Sequence, residues 1–171
     1  MIDESQARKL GEAELEHGEI ALGDAREIAQ GWFFPYRTAR IGCNGIIVNK
    51  RTGRVLKLGS AFSIERDLAL YDRGYQFELY DLVIVAIHDL AATRRAVGRL
   101  RLSVIEPTYE HGRVWRIPKT MTDLERWRRL EKLPCIFAAL SLYFDLEVLE
   151  EARSAGWFEF EALEYRPTPR R

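Results

Sequence analysis

One stretch, residues 31–60, constrains the fold of this chain more than any other. It reads GWFFPYRTARIGCNGIIVNKRTGRVLKLGS and alternates apolar runs with turn residues. Residues 46–48 form a β-branched run typical of a buried strand, and residues 55–58 form a second apolar run. The polar loop at residues 49–53 has the length of a hairpin connection and contains a glycine where a positive φ is needed. The stretch therefore predicts an antiparallel β-hairpin.

An aromatic segment precedes this hairpin. By the two-residue period of a strand, Trp32, Phe34 and Tyr36 share one face. Pro35 cannot donate a hydrogen bond to a neighbouring strand, which favours an edge or a bulge. The segment is predicted to be a strand of the same sheet.

A short amphipathic helix is predicted after the hairpin. Ser63 is a good N-cap, and Ile64, Leu68 and Tyr71 fall on one helical face. Gly74 is placed to end the helix. The apolar face predicts that this helix packs on the sheet.

These elements together resemble a known family. The features that carry the resemblance are Trp32 with its aromatic neighbours, Gly45, the turn at residues 52–53, and the Gly-Ser pair at residues 59–60. With a helix on either side, they resemble the immunity protein 35 family, small α+β proteins associated with bacterial polymorphic toxin systems. The resemblance covers about the first half of the chain, and it implies a protein that binds and neutralises a cognate toxin.

The start of the chain completes the first predicted unit. Residues 3–17 favour a helix, and Gly18 is placed to end it. The apolar residues within 19–30 have a spacing that is compatible with a helix, whereas the resemblance implies a strand. We predict the strand. The first unit is expected to span residues 1–78 as a helix-flanked antiparallel sheet.

The second half reads as a regular succession that begins with an apolar strand at residues 79–87. The elements that follow are a helix capped by Asp89, a strand at 102–105, a turn at 110–112, a strand at 114–117, a helix at 122–133 and a strand at 135–144. This βαββαβ order is that of the ferredoxin-like arrangement. An extra helix at 145–155 and a strand at 157–165 complete a unit of residues 79–171. The overall class is α+β, and the boundary would move to about residue 87 if the first strand served the other sheet.

The two helices of the βαββαβ succession have apolar stripes. Thr122 and Glu125 form a capping box at the start of the second helix, and Pro134 stops it. The residues predicted to face inward are Leu90, Val97 and Leu100 in the first helix, and Leu124, Trp127 and Leu130 in the second.

Charge and hydropathy exclude several classes of partner. The 171 residues include 26 basic and 26 acidic side chains, so no global field favours nucleic acid. No apolar run approaches the roughly 18 residues of a membrane span, and the charged start lacks a signal-peptide pattern. We therefore expect a cytoplasmic protein with no membrane partner.

Catalytic motifs are absent from the sequence, including nucleotide loops, HExxH and paired-cysteine metal motifs. A Cys–His pair would have to assemble in space from Cys43 or Cys135 with His17, His88 or His111. Two distant cysteines instead favour buried free thiols in a reducing compartment. We expect no catalytic residue, no metal site and no cofactor.

Two kinds of charged cluster interrupt the apolar pattern. Basic residues at 94–101 and 126–132 are interpreted as solvated helix faces, with phosphate contact as the alternative. At residues 158–164, Phe158 and Phe160 are predicted to face inward and the intervening glutamates outward. This acidic strip is ordinary for a half-buried strand, although it also suits a basic toxin surface.

The best candidate contact surface outside the first unit surrounds the second predicted turn. Glu110 and His111 lie in the turn, and Trp115 with Arg116 follows before Pro118, which is interpreted as a rigid stop. Trp and Arg are the residue types most often found as interface hot spots. We predict Glu110, His111, Trp115 and Arg116 as partner-binding residues, with solvent exposure alone as the plainer interpretation of His111.

Three hypotheses follow. The first is a non-catalytic immunity-type protein that occludes a cognate toxin. The second is an enzyme or small-ligand protein with a site between the two halves. The third is an oligomerisation module, which would show a large apolar face in a symmetric homo-oligomer.

Overall fold

The protein has the α+β architecture that the sequence predicts, with helices packed on antiparallel sheets. A computed structural model describes residues 1–15, 21–40 and 42–167, and all of their side chains except those of 38–40 and 105–106. Two compact units are present, Met1–Gln76 and Phe77–Arg171. No helix in the described ranges combines the length and apolar character needed to cross a membrane.

The first unit contains a four-stranded antiparallel sheet whose strands follow one another in sequence order. Its elements are α1 (Glu4–Ala13), β1 (Arg26–Glu27), β2 (Gly31–Arg40), β3 (Cys43–Asn49), β4 (Val55–Gly59) and α2 (Ile64–Asp72). The predicted hairpin is confirmed, because Val48 pairs with Val55 and Gly53 has a φ of 72°. The N-cap is also as predicted, since the Ser63 side chain accepts from the backbone N–H of Arg66.

Both faces of this sheet are covered, because its central strands contain consecutive apolar residues, and consecutive residues of a strand point to opposite faces. One core cluster contains Ala7, Leu22, Phe34, Ile46 and Val48. The other contains Ile28, Phe33, Ile47, Leu58, Leu68 and Tyr71. Trp32 and Tyr36 pack against the first cluster, which confirms their predicted shared face with Phe34. The helix α1 contributes to the first cluster and α2 to the second, so the sheet lies between two helices.

The start of the chain is helical over a shorter length than predicted. Helix α1 ends at Ala13, with Glu14 as its C-cap. The strand predicted within residues 19–30 is confirmed at β1, and Leu22 also forms an isolated bridge with Tyr36. The predicted helix stop at Gly18 lies outside the described residues.

The second unit contains a three-stranded sheet and a separate two-stranded sheet. Its elements are β5 (Tyr80–Ile87), α3 (Leu90–Arg99), β6 (Ser103–Glu110), β7 (Arg113–Thr120), α4 (Asp123–Leu130), β8 (Cys135–Leu140), α5 (Leu146–Ala155) and β9 (Phe158–Glu164). The larger sheet has the order β8-β5-β9, and the smaller one pairs β6 with β7. The strand β5 thus belongs to the second unit.

The predicted βαββαβ succession is present, but the ferredoxin-like pairing of its strands is wrong. That arrangement places β7 beside β5 inside a single sheet, whereas here β9 pairs with β5 from Tyr80 to Ile87. Pro118 lies within β7 and cannot donate a backbone hydrogen bond, which disfavours an internal position in a sheet. The strand β9 contains no proline and turns Phe158 inward, so it fills that position better.

The inward faces of two helices were predicted only in part. Val97, Leu100 and Leu130 are buried as expected, but Leu90 and Leu124 are exposed. Trp127 lies at the margin of exposure, and the adjacent Arg126 is buried instead. The Arg126 Nη1 donates to the Gly98 carbonyl oxygen at 3.0 Å, so this long side chain packs toward α3. The buried face of α4 therefore contains Arg126 and Leu130 instead of Leu124 and Trp127.

Replacing Gly98 with alanine is expected to raise the free energy of unfolding by about 0.5–1 kcal/mol, because glycine loses more backbone entropy in a helix than alanine does. An added Cβ at Gly98 meets no heavy atom within 4 Å. Its carbonyl oxygen remains available to Arg126. Urea denaturation of both proteins checks the sign, and a destabilised variant would contradict the open environment around this Cβ.

Candidate functional site

The candidate site is built on the β6–β7 hairpin. Its strands pair without a bulge from Ser103–Thr120 to Glu110–Arg113. The two turn residues, His111 and Gly112, have φ values of 49° and 78°. Two positive φ values are those of a type I′ turn, whose twist matches that of the two strands. The turn predicted at residues 110–112 is confirmed.

The register assigns every side chain of the hairpin to one of two faces, since directly paired residues lie on the same face and neighbours alternate. We call the first the Trp115 face, which comprises Thr108, Glu110, Arg113, Trp115, Ile117 and Lys119. We call the second the Arg116 face, which comprises Pro107, Tyr109, Val114, Arg116 and Pro118. The hairpin therefore presents two chemically different surfaces.

The four predicted contact residues do not form one cluster. Glu110 and Trp115 share the Trp115 face, whereas Arg116 points to the opposite face. Trp115 and Arg116 are neighbours in sequence but do not contribute to one surface, because consecutive residues of a strand alternate between faces. His111 lies in the turn. Pro118 is not a stop, since β7 continues to Thr120.

Both faces of the hairpin are exposed. All residues of the segment 107–120 are exposed, and Trp115 retains 49% of its accessible surface. Tyr109, Val114 and Ile117 are also exposed large apolar side chains. Grouped exposed apolar side chains often mark interaction sites, whereas single ones are ordinary. A role for Trp115 in the core is thus excluded.

The two free edges of the hairpin are protected against further strand pairing. In a hairpin with a two-residue turn, the pair beside the turn exchanges backbone hydrogen bonds, and so does every second pair beyond it. Pro107 and Pro118 both fall at the intervening pairs, where the backbone nitrogen points away from the partner strand. Each edge lacks an outward donor at that position, which disfavours edge-to-edge association. Contacts are favoured through the faces.

Sequence reasoning missed Ile117, Tyr109 and Val114 as members of this surface. The His111-Gly112 dipeptide could have revealed them. Once a two-residue turn is placed there, the residues at equal distances before and after it are paired, which gives the register of the whole hairpin. That register pairs Tyr109 with Val114 and places Ile117 beside Trp115 on one face.

The cysteines and histidines lie in different surroundings. Both cysteines are free; Cys135 is buried, but Cys43 is only half-buried, so the prediction of buried thiols is confirmed for Cys135 and wrong for Cys43. Burial raises the pKa of the Cys135 thiol, which disfavours a reactive thiolate. The His88 Nε2 lies 2.9 Å from Glu159 Oε1. His17 lies outside the described residues.

The basic clusters make contacts within the protein. Arg99 pairs with Glu151 at 2.6 Å, and Arg129 donates to the Ile136 carbonyl oxygen at 2.8 Å. The Arg94 guanidinium lies over the Trp127 ring, 5.2 Å from its centroid. These contacts favour a structural and solvated role for the clusters over phosphate binding.

An open depression of about 460 Å³ lies beside β9 in the second unit. Its lining includes His88, Arg153, Glu159 and Phe160. Arg153 stacks on the Phe160 ring at 4.6 Å, and its charge is paired with Glu150. Among the residues that the structure describes, no group of three or more His, Cys, Asp and Glu side chains is arranged to hold a metal ion.

Comparison of the chain with family models, curated proteins and solved structures finds no match to any of them. The resemblance to the immunity protein 35 family therefore depends on the sequence features given above and stays a prediction. The hairpin lies in the second unit, outside the part of the chain that carries this resemblance.

Proposed function

We propose that this protein is an immunity-type inhibitor that acts in the bacterial cytoplasm by binding a cognate toxin and occluding it, without catalysis. One observation carries the binding role. Trp115 and Ile117 lie side by side on an exposed hairpin face, and they retain 49% and 54% of their accessible surface. The resemblance of the first unit supports a toxin as the partner.

The Trp115 face has the composition of an interface centre with a polar rim. Trp115 and Ile117 supply apolar area, while Glu110, Arg113 and Lys119 surround them with both signs of charge. Such rims exclude water from a central aromatic anchor and select a partner with complementary charges. The pairing register and the type I′ turn place these side chains on one face of the hairpin.

Trp115→Ala is expected to weaken toxin binding by about 2 kcal/mol, or roughly thirtyfold in affinity, because an aromatic anchor would lose its contacts. The product of the gene immediately upstream is the candidate toxin, since immunity genes normally accompany the toxin they neutralise. Isothermal titration calorimetry measures the affinity, and circular dichroism verifies that the variant is folded.

Tyr109→Ala is the matched control, because it removes an exposed aromatic side chain from the opposite face of the same hairpin. We expect it to change the affinity by less than about threefold. Equal losses from both variants would show that the Trp115 face is not the specific contact surface.

A second test separates binding from catalysis. His111→Asn keeps a turn that accommodates positive φ, because Asn-Gly is preferred in type I′ turns, and it removes the imidazole. Cys135→Ala removes the buried thiol. Both variants should retain protection of cells against the toxin. A folded variant that still binds the toxin but no longer protects would favour the enzyme hypothesis.

A further inference from the structure

The sheet of the second unit has one buried face and one exposed face. Leu82, Ile84 and Phe137 are fully or almost fully buried on the face that the helices cover. On the other face, Val83 of β5 pairs with Ile136 of β8 and with Glu161 of β9. The exposed face of the sheet therefore contains apolar side chains as well as a carboxylate.

Apolar and acidic side chains are combined there. Ile136 and Leu163 retain 52% and 48% of their accessible surface. Asp81 pairs with Leu163, and Glu159 and Glu161 lie on the same side by the two-residue period. We call this the acidic sheet face, defined by Asp81, Val83, Ile136, Glu159, Glu161 and Leu163. It is the outward acidic strip predicted from the sequence, with an apolar centre added by β5 and β8.

The Arg116 face of the hairpin has the complementary composition. It presents Tyr109 and Val114 as exposed apolar side chains. Its charged side chain, Arg116, is exposed and basic, and no acidic residue belongs to this face. A two-stranded ribbon gains little stability by itself, so covering one of its faces would stabilise it.

We propose that the Arg116 face of one molecule docks on the acidic sheet face of a second copy, and that the exchange is reciprocal. Arg116 on one surface and Glu161 on the other carry opposite charges, and each surface has an uncovered apolar centre, so a second copy is the fitting partner. Asp81 and Glu159 contribute less to this attraction, because Asp81 Oδ1 accepts from the Ala139 backbone N–H at 3.0 Å and Glu159 Oε1 lies 2.9 Å from His88 Nε2. A two-fold axis repeats the contact, so both surfaces of both molecules are covered in a closed dimer. The prolines at the hairpin edges favour this contact through side chains over strand addition.

This dimer leaves the Trp115 face free, because the two faces point in opposite directions. Self-association and toxin binding are therefore separable by mutation, and this inference does not depend on the proposed function. A hairpin exposed on both faces would serve two partners, one on each face.

Sedimentation velocity of the full-length protein across the micromolar range tests the proposal. The wild-type protein should form a concentration-dependent dimer. Arg116→Glu and Glu161→Arg should each weaken dimerisation by about tenfold or more, since each places like charges opposite one another. The double variant restores opposite charges and should dimerise within about threefold of the wild-type protein.

Trp115→Ala is the matched control, and it should dimerise as the wild-type protein does. Circular dichroism verifies the fold of each variant. A wild-type protein that stays monomeric would overturn the proposal, and so would a dimer that neither charge reversal weakens or that the double variant fails to restore. If Glu161→Arg reduced toxin binding in a monomeric protein, the acidic sheet face would belong to the toxin interface instead.

Discussion

Phe34→Ala is expected to lower the free energy of unfolding by about 3–5 kcal/mol, because it removes a large aromatic side chain from a close-packed core and leaves a cavity. Phe34 has no exposed surface, and it packs between the sheet and α1 with Ala7, Ile46 and Val48. The Arg8 guanidinium also lies over its ring, 4.9 Å from the centroid. Urea denaturation followed by circular dichroism measures the loss.

Phe144→Ala is the matched control for this prediction. Phe144 retains 45% of its accessible surface, and the Arg101 guanidinium lies 4.7 Å from its ring centroid. Its removal leaves no closed cavity, so we expect a loss below about 1.5 kcal/mol. If the two variants lost equal stability, Phe34 would not occupy the core position described here.

Asn49→Ala is expected to lower the free energy of unfolding by about 2–4 kcal/mol, because it removes several hydrogen bonds made by one buried side chain. The Asn49 Oδ1 accepts from the backbone N–H groups of Arg51 and Thr52, each at 3.0 Å. Its Nδ2 donates to Gln76 Oε1 at 2.9 Å. Burial raises the pKa of Tyr71, and a hydrogen bond with the Asn49 side chain opposes that shift. One buried amide therefore joins the hairpin loop to α2 and to the end of the first unit.

Asn44→Ala provides the comparison for Asn49. The Asn44 Nδ2 lies 3.5 Å from the Phe62 carbonyl oxygen, at the limit of a hydrogen bond, and its side chain is half-buried. We expect a loss below about 1 kcal/mol. Thermal denaturation of both variants measures the difference, and similar melting temperatures would show that the Asn49 hydrogen bonds contribute little.

The turns and the helix starts could be predicted from the sequence because each depends on a few neighbouring residues. Asn49 and Gly53 set the first hairpin loop, and Thr122 with Glu125 forms the capping box of α4 as expected. These interactions span at most four positions along the chain. They therefore depend mainly on local residue types.

The candidate site was predictable in position but not in composition. The sequence located the turn at His111, since a turn depends on local residue types, and it indicated Trp115 as a contact residue. Trp115 is exposed because the hairpin is not part of the larger sheet. The sequence also grouped Trp115 with Arg116 by their adjacency. Pairing across the two strands separates them and brings Ile117 beside Trp115. A strand register is a relation between two segments, so residue types along one segment do not determine it.

Local residue patterns were enough to predict the α+β class, the central hairpin and the succession of elements in the second unit. The pairing of β9 with β5 and the separation of the β6–β7 hairpin from that sheet became clear only from the folded structure. So did the burial of Arg126 and the exposure of Leu124. The physical reason is that more than one distant segment could cover the same apolar surface. The residues of a single strand or helix therefore do not determine which of its faces is buried.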